Sequence, residues 1–237
     1  MKKAEALQTG YRDLLRMALP ISAGTALQFL VLLTDNFFLS QTSDVALNGA
    51  GNAGVLYITL GMIGQGFAAS GQILIARRVG EGRGHEALNI LRTGLIITFL
   101  VGIGLVGLVH LLMSCGFSEV FKDAATGEVF DAFMSVRRWG ILPSFLNMML
   151  IAYFMGTARA RILMWAMIIT GTVNILGDMS LISGRWGFPA LGAAGAAWAS
   201  LVAETTGLAV LLGHIGWRHG RALRQSVWMP WAALWKW

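Results

Sequence analysis

The sequence predicts an all-α, polytopic membrane protein built as a bundle of six membrane-spanning helices. Three observations predict it. Of the 237 residues, 56% are hydrophobic and only 13% are charged, whereas a soluble domain carries about 25% charged residues. The mean hydropathy is +0.65. The charges are gathered in short blocks between long apolar runs. The net charge of +6 therefore reads as basic residues flanking a membrane. It does not read as a nucleic-acid surface, and no RNA- or DNA-binding pattern occurs.

Crossing the hydrocarbon core takes about 20 mostly apolar residues. Six stretches qualify, and lipid offers the backbone no hydrogen-bond partners, so each must be a helix. A strand barrel is excluded because the runs are continuous rather than alternating. The first, 14–40, follows the basic segment MKKAEALQTGYRDLLR. It is too long for a signal-peptide core, and no small-residue cleavage site closes it promptly. Pro20 lies one turn inside it, where a missing N–H makes a helix hinge. The second, 52–76, carries Gly61, Gly64, Gly66 and Gly71, and the third, 89–114, carries Gly102, Gly104 and Gly107. The fourth, 132–156, contains Pro143 as a second hinge candidate. The fifth covers 162–183. The sixth, 189–215, starts at Pro189 and places Gly192 and Ala196 four apart. Small residues at such spacing let helix backbones approach closely, so the expectation is one compact bundle. The single cysteine, Cys115, allows no internal disulfide and no cysteine-based metal site.

The connecting segments fix the direction. Lys2, Lys3, Arg12, Arg16, Arg77, Arg78, Arg83, Arg92, Arg159, Arg161, Arg218, Arg221, Arg224 and Lys236 make 14 basic residues on one side. Only Lys122, Arg137, Arg138 and Arg185, 4 residues, fall on the other. The positive-inside rule places both termini in the cytoplasm of a cell-membrane protein. The expected organisation is a cytoplasmic N-terminus over 1–13, a transmembrane unit over 14–215, and a basic, Trp-rich cytoplasmic tail over 216–237. Trp217, Trp228, Trp231, Trp235 and Trp237 crowd that tail, and indole prefers the headgroup layer, so the tail should lie on the membrane.

Of the 12 acidic residues, three fall within spans: Asp35, Asp178 and Glu204. An aspartate at mid-bilayer costs about 2.5–3.5 kcal/mol, so an intramembrane acid points to a bundle interior or a wet cavity. Asp35 and Asp178 each lie five residues before the outer end of their spans, at Ser40 and Ser183, and should share a depth. Asn174 precedes Asp178 by four residues and shares its helix face. Ser200 lies about 16 Å down the sixth helix at 1.5 Å per residue, near the depth of Asn174. Four polar side chains can thus converge from three helices. Asn174 and Ser200 also fit a plainer role, bonding neighbouring helices. Glu204 lies deeper and could be solvated from a cytoplasmic vestibule. On this map the charges inside the membrane are all acidic. No Gly-x-Ser-x-Gly or His-Glu-x-x-His motif occurs, which argues against an intramembrane enzyme.

The stretches ALPISAGTALQFLVLLTDNFFLS, IARRVGEGRGHEAL, GTARARILMWAMIITGTVNILGDMSLI and WGFPALGAAGAAWAS resemble, in order and spacing, the amino-terminal lobe of multidrug and toxic compound extrusion (MATE) transporters. The resemblance covers most of residues 18–206. It implies one six-helix lobe of a twelve-helix, two-lobed cation-coupled antiporter. It further implies that Asp35, Asn174 and Asp178 match a coupling-ion cluster, that Ser200 stands where relatives often carry threonine, and that Pro20 matches the bending point of the first helix. Ser40-Gln41 departs from the glycine that relatives commonly have there.

The expected mechanism follows. Asp35 and Asp178, with Asn174 and Ser200, bind the coupling ion, either a shared H⁺ or a Na⁺ ion held chiefly by Asp35, Asn174 and Asp178. No other cofactor is expected. An organic cation, drug or amphiphilic metabolite leaves as the ion enters. A full relative is roughly twice as long, so the expected partner is a second six-helix lobe, either a second copy or a separate chain. A truncated fragment is the third explanation. The rival readings are a flippase-like half-transporter for lipid-linked oligosaccharides, which would favour a cationic cavity, and a membrane assembly protein, which would not need acids at matched depth.

Overall fold

The computed structural model describes residues 11–225; for residues 11–17, 20, 21 and 219–225 only the backbone path is described. Seven α-helices occur among them: α1 (Tyr11–Thr42), α2 (Asp44–Gly80), α3 (Ala87–Ser114), α4 (Ala124–Arg137), α5 (Ile141–Gly156), α6 (Ala160–Leu181) and α7 (Ala193–Gln225). They supply six segments long and apolar enough to cross a membrane, with α4 and α5 together forming the fourth. No strand occurs among the described residues.

The second and fourth spans each start about eight residues before the sequence reading, and the sixth starts at Ala193 rather than Pro189. The second span starts at Asp44, because Ser43 is extended and its side chain accepts from the Ala46 N–H at 3.0 Å, capping the helix. The fourth span starts at Ala124, where the Asp123 carboxylate accepts from the Ala125 and Thr126 N–H groups. That span is also not one helix: a 3₁₀ turn over Arg138–Gly140 divides it. Pro143 sits in the first turn of α5. It has no N–H to give Trp139, and its ring crowds that carbonyl, so a continuous α-helix through this point is disfavoured.

Chain reversals are short. The turn from α6 to α7 passes through Gly184, whose φ of +67° suits glycine, and the Leu191 N–H returns to the Leu181 carbonyl at 2.8 Å. At Gly195 a side chain would run into the Leu181 carbonyl and approach the Ile182 nitrogen at 3.0 Å. Glycine there lets α7 start against the end of α6, as small residues do between membrane helices. The α2–α3 turn is tied by ion pairs: Arg78 meets Glu81 at 3.1 Å and Glu86 at 3.2 Å, and Arg83 meets Glu86 at 2.6 Å.

The core has two parts. Leu105, Phe130, Met134, Phe145 and Ala197 fill the end near the α1–α2 and α6–α7 turns. Ile75, Leu91, Leu150, Phe154 and Ile215 fill the opposite end. Large apolar side chains such as Phe29, Leu33, Ile73, Leu100 and Trp165 are exposed, as suits helices whose outer surface meets lipid. Lys2, Lys3 and the Trp-rich run over 226–237 lie outside the described residues, and α7 carries helix through the first part of the expected tail, to Gln225.

Candidate functional site

The four polar residues singled out by depth do converge. Asp178 is fully buried on α6, and Asn174 is buried one turn before it. The carboxyl groups of Asp35 on α1 and Asp178 are neighbours that interact electrostatically. No donor reaches either oxygen of Asp178. Two carboxyl groups are both acceptors unless one is protonated, so a bond between them requires a proton on the pair.

The Asn174 amide has one orientation that satisfies both its ends. Its NH₂ then donates to Asp35 Oδ1 at 3.2 Å, and its oxygen accepts from the Ser200 backbone N–H at 3.3 Å. Hydrogen-bond partners are the proper basis for such an assignment. Turned the other way, Nδ2 meets Ser200 Oγ at a marginal 3.5 Å. Either way, Asn174 links α1 or α7 to α6. Pro20 falls within α1, well over a dozen positions before Asp35.

Asp35, Asn174 and Ser200 line a cavity of about 500 Å³, within the range of small-molecule pockets. Its wall includes Gln28 and Leu32 of α1 and Ile58 of α2, all exposed, so the cavity reaches the surface between α1 and α2. Thr170, Ser144 and Asn147 add further polar groups, and Leu27, Val31, Met148, Ile151, Leu163 and Leu211 supply apolar surface.

The same wall holds a second polar cluster that corrects the sequence reading. Arg137, counted there with an outer loop, is only 9% exposed, at the end of α4 inside the fourth span. It grips Glu204 of α7 in a bidentate ion pair, Nη1 to Oε2 at 2.9 Å and Nη2 to Oε1 at 2.6 Å. The charges inside the bundle are therefore not all acidic, and Glu204 has a protein partner in addition to any solvent. The Tyr57 hydroxyl of α2 donates to Glu204 Oε2 at 3.1 Å, and the guanidinium carbon stands 3.7 Å from the centre of the Tyr57 ring. Asn147 Nδ2 donates to the Glu204 backbone carbonyl at 2.8 Å. Gly140 makes room for the cluster: a side chain there would collide with the Arg137 guanidinium and stand 3.0 Å from Glu204 Oε2.

One signal for Arg137 was present. Asp123-Ala-Ala-Thr is an N-cap pattern, and a helix started there carries Arg137 well into the membrane. The partner was not readable, because Arg137 and Glu204 are 67 residues apart in the chain.

Comparison with known proteins gives a consistent result. The family model MatE matches residues 20–180, well over half of the chain. The protein of Synechocystis sp. named "Probable multidrug resistance protein NorM" is 28% identical over 89% of this chain and 46% of its own length. The protein of Burkholderia vietnamiensis named "Multidrug resistance protein NorM" is 26% identical over 80% of this chain and 41% of its own. Among solved structures, an outward-facing multidrug resistance MATE transporter of the MOP superfamily superposes with a TM-score of 0.79 at 21% identity, over 93% of this chain and 49% of that one. A MOP superfamily transporter from Pyrococcus furiosus gives a TM-score of 0.78 at 21% identity, over 93% and 48%. At that identity the likeness is one of fold. The chain spans about half the length of the curated relatives it matches.

Proposed function

The chain belongs to the MatE family, and we propose that it is one lobe of a cation-coupled antiporter that exports organic cations, drugs or amphiphilic metabolites. It sits in the cell membrane with both termini cytoplasmic. The observation that carries this reading is the meeting of Asp35 and Asp178 on separate helices, with Asn174 donating to Asp35. Two acids set beside each other within membrane spans are a functional arrangement by default. The pair takes up a cation from outside and releases it inside, and its charge changes with each cycle.

A proton is the cation that fits the Asn174 orientation satisfying both ends of its amide. With its NH₂ toward Asp35, the amide offers no oxygen to the pair; a Na⁺ ion would require the amide to turn round. Loading alters the repulsion between α1 and α6 and so biases α1 between straight and bent forms at Pro20. Cargo occupies the cavity beside the pair, which a second six-helix lobe completes.

Asp35→Asn removes the titrating group and keeps the side-chain volume. The expected outcome is normal membrane insertion with complete loss of ion-coupled efflux from vesicles carrying the assembled transporter. Coupled efflux at the wild-type rate from that variant sinks the assignment.

A further inference from the structure

We propose that the Arg137–Glu204 ion pair sets the charge of the cargo: by masking Glu204 it leaves Asp35 as the one carboxylate on the cavity wall without an ion-pair partner and restricts the cavity to monocations. The inference rests on the reading of the cavity as the cargo chamber.

The lining carries three charged residues, Asp35, Arg137 and Glu204. Asp178 is fully buried behind Asp35 and is not part of the wall. Arg137 engages both oxygens of Glu204 at 2.6–2.9 Å, and the Tyr57 hydroxyl reaches the same carboxylate. Such a bidentate pair is directional and strong. The guanidinium also covers one face of the Tyr57 ring at 3.7 Å, occupying a surface on which a cationic cargo could stack. Both binding features that Glu204 and Tyr57 would offer to a second positive charge are thus taken by a resident one. Arg137 is permanently charged.

A matched pair of probes tests it. The monocation N-methylphenylpyridinium and the dication methyl viologen share a biaryl frame and differ by one charge. Equilibrium dialysis against the assembled transporter in lipid nanodiscs gives the affinity ratio, dication over monocation. Arg137→Gln exposes Glu204. An added opposing charge on the cavity wall at an effective dielectric near 20 is worth on the order of a tenfold change, so the ratio should rise about tenfold. Arg137→Gln/Glu204→Gln removes both charges and should return the ratio to its wild-type value. Should Arg137→Gln fail to fold, Glu204→Gln leaves the arginine unmasked and should weaken monocation binding about tenfold, with the double variant restoring it.

If the monocation binds in an Asp35-dependent manner and the ratio does not change among these variants, the charge filter is overturned and the cargo cavity stands. If the monocation shows no Asp35-dependent binding, the cargo-cavity reading fails and the filter falls with it.

Discussion

One tightly constrained point in the molecule is a glycine. Gly140 ends the turn between α4 and α5, and a methyl group there would meet the Arg137 guanidinium, with Glu204 Oε2 at 3.0 Å and the Tyr57 hydroxyl at 3.1 Å. The guanidinium cannot swing away without breaking its bond to Glu204. Gly140→Ala should therefore destabilise the fold by about 1–3 kcal/mol, the usual range for overpacking, measured by thermal unfolding in detergent. In an Arg137→Gln background the shorter side chain leaves space, so the same change should cost clearly less; equal cost in both backgrounds would show that the two sites are not coupled. The residue scale also shows which parts of the site were legible. Asp35, Asn174, Asp178 and Ser200 could be grouped from the sequence because helix rise and span polarity assign each a depth. Arg137 with Glu204 could not, because depth says nothing of azimuth: only the packing of α4 against α7 brings those side chains together.

At the scale of elements, the six spans were readable from apolar runs, while their ends were not. Asp44 and Asn48 fall before the span read over 52–76, yet Ser43 caps a helix that begins at Asp44. The first two helices are thus joined by Ser43 alone. α2 has 37 residues, about 55 Å at 1.5 Å per residue, and so projects beyond a hydrocarbon core of about 30 Å. Its far end is held by the Arg77–Glu81–Arg78–Glu86 cluster. The hydrogen bond from Arg77, joined by one from Arg78, holds the Glu81 carboxyl below its ordinary value. A lowered folded-state value means that the contribution to stability is present above the unfolded carboxylate range and is lost as pH falls through the folded one. Glu81→Gln imitates the protonated form. The wild type should melt slightly above this variant at neutral pH, and the difference should vanish on acidification below the carboxylate range. A difference that persists in acid would assign Glu81 a role other than charge pairing. Because the pair is exposed, raising the salt concentration should also shrink the difference.

For the molecule as a whole, the governing fact is that a charged cavity reaches the surface. Asp35, Arg137 and Glu204 line a space whose wall includes exposed residues of α1 and α2. Lipid tails cannot cover such an opening, because buried charges in a membrane face a bundle interior or a water-filled space. Repeat-built transporters place their binding sites near the bilayer midplane at the interface between repeats, and the relatives this chain matches are about twice its length. Both considerations predict a second six-helix unit across the face formed by α1 and α2. Six spans return the chain to its starting side, so two copies insert in the same orientation and a homodimer is geometrically allowed; a separate chain, or a continuation of a longer chain, supplying the other lobe satisfies the same requirement. Crosslinking in native membranes followed by mass measurement distinguishes them. A crosslinked mass of twice the 25.5 kDa chain indicates self-pairing, and another increment identifies a distinct partner. Crosslinks in either case should map to α1 and α2. A chain that stays monomeric at all concentrations, and binds no cation through Asp35, would show that the cavity is not half of a transport chamber.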